Sequence, residues 1–247
     1  MAAEQAPPPR DTVTERYGPR VHRSVHHGAM LLLAGVLVFV AGMIVTQIGY
    51  GSSYSLTNNF ISDLGAVHCG TIGAGSLGGS SRYVCSPWYL VFDVTAVLMG
   101  ISILLATVLL RTAFPVRRSR TIGLILLAFV GIGSIGVGLS PEDTNVGVHV
   151  VSALLAFLGG SFALMILGFA MFRDTRWAGF RAYSILSGLV SFVALLLLVT
   201  KNDFALGVGG MERLVVAPVL LWGIVVGAHL ARIPTFAPRL VPKVPAS

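Results

Sequence analysis

GAMLLLAGVLVFVAGMIVTQIGY, residues 28–50, carries no charged side chain over 23 consecutive positions. At 1.5 Å per residue a helix of that length spans about 35 Å, enough to cross a hydrocarbon core of about 30 Å. Apolar residues fill consecutive rather than alternate positions, and the run is far longer than a barrel strand of about ten residues. In lipid every backbone N–H and C=O needs a partner within the chain, so helix is the expected conformation. Five further runs read the same way: 88–110, 121–139, 147–172, 182–200 and 212–231. The expected fold is therefore all-α, a polytopic membrane protein built as a bundle of six transmembrane helices. Composition agrees. The 247-residue chain is 55% hydrophobic and 11% charged, where soluble domains average about 25% charged.

The net charge of +7 would suit a nucleic-acid partner, but the placement of the charges excludes that reading. Arg10, Arg16, Arg20 and Arg23 precede the first span. Arg111, Arg117, Arg118 and Arg120 lie between spans two and three. Arg173, Arg176 and Arg181 lie between spans four and five, and Arg232, Arg239 and Lys243 follow span six. Those fourteen of the 17 basic residues fall on one side of the membrane, leaving Arg82, Lys201 and Arg213 on the other. Basic residues mark the cytoplasmic side, so the expectation is a plasma-membrane protein with both termini cytoplasmic. Anionic lipid is an expected neighbour of the basic side. Residues 1–27, Pro-rich at their start, read as a disordered cytoplasmic tail, 28–232 as the membrane domain, and 233–247 as a second cytoplasmic tail. The first span is too long for a typical signal-peptide core and no small-residue cleavage site follows it, so it reads as a retained helix.

The longest loop is 51–87, so no soluble catalytic domain is expected, and any chemistry belongs to the bundle, its faces or this loop. It opens with TNNFISDLGAVHCG, residues 57–70, a polar block set directly after a greasy span. Its middle, GTIGAGSLGGSS, reads as flexible. Cys69 and Cys85, the only two cysteines, flank that middle on the oxidising side. A disulfide between them would close 17 residues and restrain them by about 3 kcal/mol; two free thiols are the alternative.

Acidic, amide and histidine side chains gather at the same outer side: Asn58, Asn59, Ser62, Asp63 and His68; Asp93; Glu142, Asp143 and His149; Asp203, Glu212 and Arg213. Asp93 lies five residues past Trp88, about 7.5 Å deeper along a helix. A carboxylate there should face the bundle and have a partner. It is either a ligand, proton or metal site or a structurally paired helix-start carboxylate favoured by the macrodipole. Arg213 either snorkels outward or turns in to hold Asp63, Asp93 or an anion. Asp143 either caps span four or joins a site. His149 is a base, a ligand or a hydrogen-bonded structural residue. Asn58, Asn59 and Ser62 suit a polar turn or a cavity wall. Ser62, His149 and an aspartate could formally compose a nucleophile–base–orienter trio, though no spacing brings them together. His22, His26 and His27 read as an interfacial cluster. Gly131, Gly133, Gly136 and Gly138 in span three, with Gly159 and Gly160 in span four, read as close-packing faces.

Three stretches carry a family resemblance: NNFISDLGA after span one, GLSPEDTNVGVHVVSALLAFLGG into span four, and GGMERLVVAPVLLW in span six. Together they resemble the prokaryotic membrane family called domain of unknown function 998, across about 28–232. The resemblance implies the six-span fold and motif positions at Asn58 or Asn59, Ser62, Asp63, Asp143, His149, Glu212 and Arg213. It implies an asparagine where this chain has Asp93, and it implies no activity. Seven-span zinc lipid hydrolases are a looser likeness. They use several histidines, whereas His149 is the only outer-side histidine within a span, so no metal site is assigned, and a cofactor is unknown.

These observations converge on an outward-facing polar pocket that binds a lipid headgroup or small polar ligand. Its expected lining is Asn58, Asn59, Ser62, Asp63, Asp93, Asp143, His149, Glu212 and Arg213. Two alternatives stand beside it: a membrane-embedded lipid hydrolase or transferase using the same pocket, and a structural or partner-binding membrane subunit.

Overall fold

The structure is a computed structural model that describes residues 21–51, 53–73, 81–115, 117–172 and 177–235. Residues 1–20 and 236–247 of the expected tails, and most of the Gly/Ser-rich middle of the long loop, lie outside the described residues. Six helices form: α1 Arg23–Ile48, α2 Tyr89–Leu109, α3 Arg118–Leu139, α4 Val146–Ala170, α5 Ala178–Val199 and α6 Gly207–Arg232. All six are long and apolar enough to cross a membrane. The chain is a multi-pass, all-α membrane protein.

The helix ends depart from the hydropathy boundaries in an instructive way. α1 begins at Arg23, five residues before the apolar run, because charged residues beyond the hydrocarbon edge still propagate helix. α6 begins at Gly207, so Glu212 sits in its second turn rather than at its entrance. Pro218 falls inside α6, where it lacks the N–H that would bond Leu214 O.

Each helix packs on the next in sequence, and α6 returns to α1, so the six close into a ring in chain order. Small residues allow this. A side chain added at Gly131 of α3 would lie 2.8 Å from Gly100 O of α2, and one at Gly159 of α4 would lie 2.9 Å from Leu126 O of α3. Backbones can approach so closely only where Cβ is absent. An even number of spans leaves both described ends at one end of the ring, where Val21 N–H donates to Pro234 O at 3.0 Å.

At the opposite end the long loop does not lie on the surface. A 3₁₀ turn, Ser62–Gly65, dips into the mouth of the ring, and Asp63, Leu64, Gly65 and Ala66 are all buried. The chain then forms a short antiparallel hairpin, β1 Gly70–Ile72 with β2 Arg82–Val84, Thr71 opposite Tyr83. A Cys69–Cys85 disulfide closes its base. The buried turn is plugged against the bundle by Leu64, Phe92 and Phe39, the two phenyl rings 5.5 Å apart.

Candidate functional site

Asp63 is the node of the polar end. It is 0% exposed, and both its oxygens are occupied. Asn59 Nδ2 donates to Oδ2 at 2.8 Å, Phe60 N–H donates to Oδ2 at 3.1 Å, and Arg82 Nε donates to Oδ2 at 2.8 Å. Arg82 Nη2 also donates to Oδ1, completing a bidentate fork. The same Nη2 donates to Glu142 Oε1 at 3.1 Å, and Ser62 Oγ donates to Glu142 Oε2 at 3.0 Å. Phe60 lies under the guanidinium, its ring centre 4.6 Å from Arg82 Cζ. Arg82 comes from β2, so the disulfide-closed hairpin delivers the cation that the buried turn needs.

One guanidinium serving two carboxyls leaves a proton to be shared. Burial alone would raise Asp63. Hydrogen bonds from Arg82 and Glu142, the Arg82 charge and Asn59 outweigh it and hold Asp63 below the usual carboxylate range. Burial, the hydrogen bond with Asp63 and the Asp63 charge push Glu142 up to about 9, against the opposing pull of Arg82 and Ser62. At neutral pH the triad therefore holds one aspartate, one arginine and one protonated glutamic acid, with no net charge.

Beside this triad lie two cavities. The deeper one, about 90 Å³, lies between the helices and is walled by Phe39, Phe92, Met99, Val130, Phe157 and Val219, with Ser62, His149 and Glu212 at its polar side. Its volume admits more than one water-sized molecule. The outer one, about 60 Å³, has Arg82, Glu142, Phe60 and Leu198 in its wall. Both are lined by Ser62, His149, Ala153 and Glu212, which stand where the two cavities adjoin, the neck of the site.

The chemistry of the neck follows from its hydrogen bonds. His149 Nδ1 lies 2.9 Å from Ser140 O. A carbonyl only accepts, so Nδ1 carries the proton and, in the neutral ring, Nε2 is an acceptor. Among the described residues Nε2 has no hydrogen-bond partner. Glu212, 6% exposed, accepts the Ile61 N–H on Oε2, which ties α6 to the residue before the buried turn. The Ser62 hydroxyl proton is committed to Glu142, and among the described residues Ser62 makes no hydrogen bond to His149.

The structure thus brings Asn59, Ser62, Asp63, His149 and Glu212 to one place, and leaves four expected residues outside it. Arg213 does not turn toward Asp63 or Asp93. Its Nη1 donates to Leu56 O at 3.1 Å, Asn59 O at 3.0 Å and Gly209 O at 2.8 Å, while Nη2 donates to Tyr54 Oη at 2.6 Å. It staples the descending loop to α6 by serving the loop carbonyls of Leu56 and Asn59 from a helical residue. Asp143 does not cap α4. Asn145 does so, accepting the Val148 N–H at 3.2 Å. Asp143 instead accepts the N–H groups of Val67 at 3.1 Å and His68 at 2.8 Å, together with the His68 ring at 3.0 Å. Burial raises that carboxyl, and these bonds outweigh it and hold it below the usual range. Asn58 is exposed and bonds only through its backbone, its N–H donating to Ser55 Oγ at 3.2 Å. Asp93 is buried against Gly65, where a side chain would lie 2.6 Å from Asp93 Oδ1, and that oxygen has no partner among the described residues.

Arg82 is the residue that sequence reasoning missed. It was legible only as one of three basic residues on the polar side, and a buried Asp63 with no cation nearby in sequence was the signal that one had to arrive from elsewhere. Glu142 stood among the outer-side acids without a role, and the triad supplies it.

Comparison with curated proteins and comparison with solved structures each return no match. A family model described as "Protein of unknown function (DUF998)" matches residues 33–229, from within α1 to within α6, a span that includes Ser62, His149, Ala153 and Glu212. The chain is a six-span membrane protein of the DUF998 family.

Proposed function

We propose that the ring binds an amphiphile, with an apolar chain in the deep cavity and a hydrogen-bonding head at the neck. The observation that carries this is the shared neck. A cavity walled by apolar side chains adjoins an outer one that carries Arg82 and Glu142, and Ser62, His149 and Glu212 line both. His149 Nε2 and the Glu212 carboxyl are acceptors, and Arg82 is a donor on the outer side. Such a set suits a head that bears hydroxyl or amine groups, a lipid headgroup or a small polar ligand with an apolar tail. The triad beside the neck is internally satisfied, so Asp63 acts by holding the wall in place rather than by meeting the ligand.

The polar end faces outward from the plasma membrane in this reading, because the basic residues cluster at the other end. Active green fluorescence from a C-terminal fusion, with an inactive alkaline phosphatase fusion at the same point, is the expected result; the reverse pattern refutes the orientation.

The ligand itself is tested by native mass spectrometry of gently extracted protein. Ala153 lines both cavities, so Ala153→Trp should fill the neck, and His149→Phe should remove the free acceptor. Wild type should carry a co-purifying amphiphile that is absent from Ala153→Trp and roughly tenfold depleted in His149→Phe, the worth of one hydrogen bond to a buried group. Identical adducts on wild type and on folded Ala153→Trp protein would defeat the proposal.

A further inference from the structure

A separate hollow of about 330 Å³ lies at the other end of the ring, where α1 meets α6. Arg23, His26 and His27 of α1 and Arg232 of α6 line it together with 233–235. The Val21–Pro234 hydrogen bond fixes the two chain segments against one another there. Four side chains that are cationic or can become so surround one space, and among the described residues none of them is paired with a carboxylate. The described ion pairs all belong to the opposite end. The described residues include the buried His26 Nδ1, which has no hydrogen-bond partner. Arg23 also occupies the first position of α1, where backbone N–H groups lack intrahelical partners and the helix dipole favours an anion.

Arginine forks match phosphate oxygens bidentately. What lies next to the hollow distinguishes a lipid from a free ion. Met30, four residues after His26 and so on the same helix face, is 46% exposed, and Val225, seven residues before Arg232, is 41% exposed. The cationic hollow therefore opens onto apolar surface running toward the bilayer centre. We propose that this hollow seats a phosphate-bearing lipid headgroup, with Arg23 and Arg232 on the phosphate and the acyl chains along Met30 and Val225. The site is independent of the neck at the other end.

Full-length protein would be examined by native mass spectrometry with phosphatidylglycerol and phosphatidylcholine of identical chains, and separately with inorganic phosphate as competitor. Wild type should retain phosphatidylglycerol over phosphatidylcholine. Basic residues near an anionic headgroup contribute about fivefold each, so Arg23→Gln with Arg232→Gln should cut that retention about 25-fold. Arg118→Gln with Arg120→Gln, at the same end but off the hollow, should leave it within twofold. Tryptophan-fluorescence melts verify folding, and if the double variant does not fold, Arg232→Gln alone should show the fivefold loss. Equal retention of the two lipids, or equal loss in both double variants, overturns the site. Displacement by millimolar phosphate with no preference between lipids overturns the lipid as occupant and assigns the hollow to a free anion.

Discussion

Glu142→Gln tests the shared proton in the Asp63–Arg82–Glu142 triad. The unfolded chain gives up the Glu142 proton near 4.5, whereas the folded chain holds it to about 9. Between those values the folded state carries more protons than the unfolded one, so stability falls as pH rises, and it is flat below and above the window. The slope is at most about 1.4 kcal/mol per pH unit. From pH 6 to pH 8 wild type should therefore lose up to about 2.7 kcal/mol. For a chain of this size that corresponds to a fall in melting temperature of roughly 5–10 °C. Asp63 does not interfere, because its folded value is depressed and its contribution is lost only as pH falls below about 3.8. Glutamine is the same size as the protonated acid, its oxygen still accepts from Arg82 while its amide NH2 donates to Ser62 Oγ, and it cannot ionise. Glu142→Gln should match wild type within about 1 kcal/mol near pH 4.5, exceed it by about 2 kcal/mol at pH 6, and lose most of the decline toward pH 8. Melts followed by tryptophan fluorescence, with Trp222 and Trp177 both buried, give the readout in one detergent across the pH series. A variant that melts 10 °C below wild type at pH 6, or that keeps the wild-type slope, refutes the neutral-acid assignment.

Three further outcomes are expected from the geometry. Replacing Cys69 and Cys85 by serine should cost up to about 3 kcal/mol through the freed 17-residue loop, and dithiothreitol should lower the wild-type melting point by a similar amount while leaving the double variant unmoved. Arg213→Ala strands the carbonyls of Leu56 and Asn59 and should destabilise by about 2–4 kcal/mol; hydrogen exchange should rise across 54–61, and exchange unchanged there would contradict the staple. Gly209→Ala places a methyl 2.7 Å from Leu56 O and closer still to Asn59 O, and should cost about 1–3 kcal/mol. Gly147→Ala, whose nearest neighbour would be Asn145 Oδ1 at 3.9 Å, serves as the unperturbed comparison in the same melting assay.

Hydropathy carried the fold almost entirely, because six long apolar runs admit few arrangements in a bilayer. It failed at the helix ends for a physical reason. Arg23, His26 and His27 are helical yet polar, and Gly207–Gly210 start α6 with little hydropathy to mark them. The site was half legible. Asn59, Ser62, Asp63, His149 and Glu212 are polar residues with no business near hydrocarbon unless they meet, and they do meet. Arg82 was hidden because nineteen residues and a Gly/Ser-rich stretch separate it from Asp63. A hairpin and a disulfide, rather than any local period, set that contact. Arg213 and Asp143 were misplaced because most of their partners are backbone atoms, which leave no trace in a side-chain pattern.

The ring closes with its last helix, and that order matters while the chain is being made. The loop at 56–61 emerges behind α1, but the donors and acceptors for Leu56 O, Asn59 O and Ile61 N–H come from residues 209–213. The Ile61 N–H waits 151 residues for Glu212, and Leu56 O waits 157 for Arg213. At about 5–20 residues per second that is roughly 8–30 s of synthesis. Five helices must insert with the mouth of the ring unplugged and its polar backbone hydrated. Defects at Glu212 or Arg213 should therefore surface first during biogenesis, as chains inserted but left open to quality-control proteases.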